Sequence, residues 1–72
     1  MSAKKRLAKL VGSEVIFATG YEQTGGAPVT RRGWWKRSAK LGVGAVIPGQ
    51  PGNWIFLGYN AQDAEDRIDA GG

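Results

Sequence analysis

At 72 residues the chain has room for one small domain and no second core. It contains neither cysteine nor histidine, which excludes a disulfide framework, thiolate chemistry and the usual ligands of a structural zinc. The net charge of +4 is unevenly spread: nine of the ten basic residues fall in the first 40 positions against Glu14 and Glu22, whereas the last 32 positions hold Arg67 against Asp63, Glu65, Asp66 and Asp69. Such an asymmetry directs the first half of the chain toward a polyanion or an acidic surface.

Residues 1–12 read as a basic helix or a flexible arm. Leu7, Leu10 and Val11 follow the i, i+3, i+4 spacing that gathers apolar groups on one helical side, and Gly12 supplies a stop. An isolated helix this short is marginal in water, so the segment either docks or frays. It lacks the uninterrupted apolar run of a signal peptide, and the expected location is cytoplasmic.

Residues 13–60 read as a compact β domain. Val15, Phe17, Thr19 and Tyr21 alternate with Ile16, Ala18 and Gly20, the period of an extended strand rich in residues that pack on a pleated surface. Gln23-Thr24-Gly25-Gly26 predicts a turn, with Pro28 at the approach to the next strand. One strand is expected over 29–37 and another over 41–47, with residues 38–40 between them as a tight connection or a bent continuation. Pro48-Gly49-Gln50-Pro51-Gly52 is the clearest loop signal in the chain. Residues 53–59 follow as a strand that is apolar on both faces, which predicts a central position in the sheet.

Residues 61–72 form an acidic helix or tail. Asn60 is a candidate cap, Asp63 suits the first turn, and Gly71-Gly72 should fray. The uncharged stretch from Leu41 to Gln62 approaches the length of a membrane span, but the proline- and glycine-rich segment in its middle predicts a turn and no membrane span. Short twisted strands of this kind are accommodated by closure, which removes unprotected edges. The expected fold class is mainly β: a small curled sheet or SH3-like barrel with short terminal helices.

The strongest local signal for function is Arg31-Arg32-Gly33-Trp34-Trp35-Lys36-Arg37. Its cations can neutralise phosphate, and a flat indole can stack on an exposed base. On a regular strand Arg31, Trp35 and Arg37 share one face and Arg32, Trp34 and Lys36 the other, so one tryptophan enters the core and the other faces outward unless Gly33 begins a turn. The bland account is that both indoles are packing residues and the charges keep the surface soluble. Lys4, Lys5, Arg6 and Lys9 would extend the positive field into one basic patch if the N-terminal helix folds back beside that strand.

Nothing in the chain makes a nucleophile-base set, so no enzyme, metal or cofactor is expected. Gly42-Val43-Gly44 and Gly49-Gln50-Pro51-Gly52 lack the remainder of any nucleotide-binding fingerprint. Two functions remain. The first is a small non-enzymatic nucleic-acid-binding protein or regulatory adaptor contacting DNA or RNA through Lys4, Lys5, Arg6, Lys9, Arg31, Arg32, Trp34, Trp35, Lys36 and Arg37. The second is a protein-interaction or structural assembly module that binds a protein partner or itself. It is compatible with a phage or mobile-element origin and includes an inhibitor of another protein.

Overall fold

The computed structural model describes residues 2–22, 26–40 and 42–70. It shows a small mixed α/β domain, with the elements α1 (Ala3–Val11), β1 (Val15–Glu22), β2 (Val29–Arg37), β3 (Trp54–Gly58) and α2 (Ala61–Ala70) in chain order. The three strands form an antiparallel sheet in the order β1-β2-β3. The expected turn at 23–26 falls largely outside the described residues, as do Leu41 and the terminal glycines.

The expectation of a mainly β, SH3-like barrel is wrong. The sheet is open, neither closed nor curled, because β1 and β3 pair with β2 and not with each other. Two helices of nine and ten residues supply a second layer. A barrel needs more strand than this chain provides, and the missing element is the one expected over 41–47. Among the described residues there, the chain makes only isolated bridges, Tyr21 to Val46 and Ala45 to Trp54. Gly42 and Gly44 take φ of 78° and 116°, values that interrupt an extended run and that side chains rarely adopt.

β2 is central, and the strand expected at that position, β3, lies at an edge. Its two apolar faces have another cause: α2 packs on one side of it and the segment 38–53 on the other. Apolar residues on both faces of a strand report that both faces are covered and do not report its place in the sheet.

Each coat has its own core. On the helix side Leu7, Val15, Leu57 and Ala64 are buried, with Ala8, Val11, Trp34 and Ile68 packed around them. On the loop side Trp35, Ala45, Ile47 and Trp54 are buried, joined by Ile16, Ala18 and Phe56. The tryptophans are divided between the faces because they are neighbours on an unbroken strand. Trp35 is fully buried and its Nε1 donates to the Ala18 carbonyl at 2.9 Å. Gly20 makes room for it, since a Cβ there would lie 2.7 Å from the indole Cζ2.

Both helices are stabilised by capping and docking. The Ser2 hydroxyl accepts from the Lys5 amide, and left-handed Gly12 closes α1 by donating to the Ala8 carbonyl at 2.9 Å. Asn60 accepts from the Asp63 amide at 2.8 Å and caps α2. Arg6 and Glu65 join the helices at 2.7 Å. α1 rests on β1 and α2 on β3, so the helix layer spans the sheet at its Val15–Leu57 end.

Candidate functional site

The register between β1 and β2 determines which charges meet. Residues opposite one another in an antiparallel pair project to the same side, so Val15, Phe17, Thr19 and Tyr21 share a side with Lys36, Trp34, Arg32 and Thr30. Glu22 lies across from Val29 on the other side, beside Arg31. Glu14, one residue before β1, accepts from the Arg37 amide through its own carbonyl.

This alternation sorts the basic run into two chemically different groups. On the loop side, Arg31 meets Glu22 at 3.4 Å, donates to the Tyr59 hydroxyl at 2.6 Å and lies 5.5 Å from the Phe56 ring centroid. The pKa of its guanidinium is raised, chiefly by Tyr59 and then by Glu22. Arg37 reaches Glu14 at 2.9 Å and the Pro51 carbonyl at 3.0 Å, and stacks 4.5 Å above Trp54. These two arginines hold the loop and strand ends to the sheet. On the helix side, Arg32 is exposed, hydrogen-bonds Thr19 at 3.4 Å and lies 5.5 Å from the Phe17 centroid. Lys36 is half-buried and borders a cleft between the helices, beside Leu10, Val11, Leu57 and Ile68.

The expected continuous basic patch is therefore absent. Arg31 and Arg37 face away from Arg32 and Lys36, and three of the arginines expected to make the patch are taken by Glu22, Glu14 and Glu65. Trp34 does not stand out as a free indole: it is half-buried against the helix-side core, edge-on to Phe17 at 5.2 Å. Lys4, Lys5 and Lys9 remain exposed on α1, with no ion pair among the described residues.

In place of the patch, the structure presents a small aromatic platform. The helices cover the Val15 end of the helix side and leave the remainder of the β1–β2 surface open. Phe17 is 46% and Tyr21 43% exposed, and Thr30 and Arg32 are exposed beside them. Tyr21 is held at its backbone by reciprocal bonds with Val46, at 2.9 and 3.1 Å. No acidic side chain belongs to this side of β1 or β2, since Glu22 projects to the other. The sequence run from Arg31 to Arg37 drew attention to charge, whereas Phe17 and Tyr21 read only as strand formers. No local signal joins them to Arg32, because the pairing of Thr19 with Arg32 that puts all three on one side is set by the register.

A second cleft, of about 480 Å³, opens on the loop side and is lined in part by Glu22, Arg31, Ala45, Phe56 and Arg67. No group of three or more potential metal ligands occurs among the described residues, and no helix among them is long and apolar enough to cross a membrane. No protein-family model, curated protein or solved structure matches the chain.

Proposed function

We propose that the chain is a small non-enzymatic nucleic-acid-binding module, acting through the open side of β1–β2 and not through the whole 31–37 run. The observation that supports this reading is the sorting of charge by the sheet. The acids near β1 are spent on Arg31 and Arg37, while Arg32 stands between exposed Phe17 and Tyr21 where neither β1 nor β2 projects a carboxylate. An uncompensated cation among exposed rings and hydroxyls offers phosphate contact together with stacking area. The exposed lysines of α1, which rests on β1, add sequence-independent attraction.

Fluorescence anisotropy of labelled oligonucleotides at low and physiological salt tests the reading. Binding that weakens as salt rises is expected, and Arg32→Ala should lower the slope of log affinity against log salt by about 1. Arg37→Ala, which removes a cation already paired with Glu14, should leave that slope nearly unchanged. Absence of binding by the folded protein at low salt would overturn the reading and turn attention to a protein partner.

A further inference from the structure

The geometry points to single-stranded nucleic acid as the ligand of this surface, bound extended, with one base on Phe17, a phosphate at Arg32 and a second base on Tyr21. This inference rests on the nucleic-acid reading above and specifies its substrate class. Phe17 and Tyr21 project from the same side of one strand four residues apart, which places their Cα atoms about 13 Å from each other. Bases stacked within a duplex strand are separated by about 3.4 Å. Four stacked steps would span about the distance between the two Cα atoms, but a base stacked within a duplex has both faces covered, so only bases withdrawn from the stack can lie on the rings. The ring faces gain contact area only from splayed bases.

The groups between the rings suit the backbone of such a strand. Arg32 lies across from Thr19, midway between Phe17 and Tyr21, and Thr30 lies across from Tyr21. A guanidinium and two hydroxyls are phosphate-contacting groups. Arg32 is also positioned 5.5 Å from the Phe17 centroid, so an entering base meets either the ring or the planar guanidinium, each of which is a stacking partner. The platform is built before any ligand arrives: Thr19 orients Arg32, Trp34 buttresses Phe17 edge-on, and the Val46 bridge fixes the backbone of Tyr21. Charge favours a polyanion over a neutral apolar partner: the ionic side chains of the two strands on this side are the cations Arg32 and Lys36. The lysine-bearing α1 rests on β1, and the carboxylates of α2 belong to the helix that packs on β3. Stacking on a ring face accepts any base, so binding through these contacts is tolerant of sequence.

The test compares dT12, rU12 and a 12-base-pair DNA duplex as probes, with the wild-type protein and the variants Phe17→Leu, Tyr21→Leu and Arg32→Ala. Leucine removes the π face at either position while keeping, at position 17, apolar packing against Trp34, and far-UV circular dichroism confirms folding of each variant. The single strands should bind about tenfold or more tightly than the duplex at equal salt, and each leucine variant should lose about fivefold or more of single-strand affinity while leaving duplex affinity unchanged. Quenching of Trp34, the indole touching Phe17, should accompany binding and shrink in Phe17→Leu. Duplex binding as tight as single-strand binding, or leucine variants that bind like wild type, would overturn the inference. A Lys4→Ala, Lys5→Ala, Lys9→Ala variant that then weakens both probe types equally would leave the nucleic-acid reading in place with α1 as its seat. Failure of every probe to bind overturns both.

Discussion

The two faces of the sheet are covered by different kinds of chain. One face is covered at its Val15 end by two capped helices, whose contribution to the core is small: Leu7 and Ala64 are buried, with Ala8, Val11 and Ile68 beside them. The other is closed by the segment 38–53, which has no helix and contributes Ala45 and Ile47, so the strands themselves supply the bulk through Trp35 and Trp54. A helix brings a row of side chains to a sheet at regular intervals. An irregular segment brings its backbone close and needs large partners from the sheet to fill the space. The irregular coat is held by specific hydrogen bonds, Ala45 to Trp54 and Val46 to Tyr21, and by Arg37 reaching Pro51.

If the loop-side core depends on its indoles, Trp35→Ala should be the most damaging substitution in the molecule. It removes a fully buried side chain and leaves a cavity in a chain with a thin margin, at a cost of about 3–5 kcal/mol. Urea or thermal denaturation followed by circular dichroism should find the variant largely unfolded at room temperature. Leu7→Ala is the matching test of the helix coat, and should cost about 2–4 kcal/mol, with α1 losing its amide protection before the strands. A larger loss for Leu7→Ala than for Trp35→Ala would reverse the ranking of the two cores.

A third substitution tests how closely the loop backbone must approach. Gly44 has φ of 116°, and a Cβ there would lie 2.5 Å from the Trp54 carbonyl oxygen. Gly44→Ala should cost about 1–3 kcal/mol through strain and displacement of the loop, visible as a lowered denaturation midpoint and faster exchange of the Ala45 and Trp54 amides. Gly42→Ala, also at positive φ but with open space around its Cβ, should cost less. The smallest effect belongs to the ion pair between the helices. A double-mutant cycle on Arg6 and Glu65 should give a coupling of about 0.2–1 kcal/mol, reduced by salt, because the Arg6 side chain is half exposed.

Much of the local structure was legible in the residues. The apolar spacing of Leu7, Leu10 and Val11, the alternation from Val15 to Tyr21 and the Asn60 cap mark elements found at those places. The open sheet was not, because the expected barrel required the 41–47 segment to remain extended through glycines that turn it instead. The candidate site was only half legible. The parity of residues 31–37 separates Arg31 and Arg37 from Arg32 and Lys36, but nothing local shows that the first pair is neutralised. Their partners Glu22 and Glu14 stand nine and 23 positions away along the chain.

By itself, then, the sequence determined the periodicities: where helices and strands form, where glycine breaks them, and which side chains alternate along each strand. These follow from steric and hydrogen-bonding preferences that act over a few residues. The tertiary structure alone decided the strand order, which coat closes each face, and which arginines are spent in ion pairs. Pairing register brings together residues distant in the chain, and a shift of one position would exchange the sides of the sheet that Arg31 and Arg32 occupy relative to β1. The surface left with exposed rings and with Arg32, a cation without an ion pair among the described residues, is a product of that register.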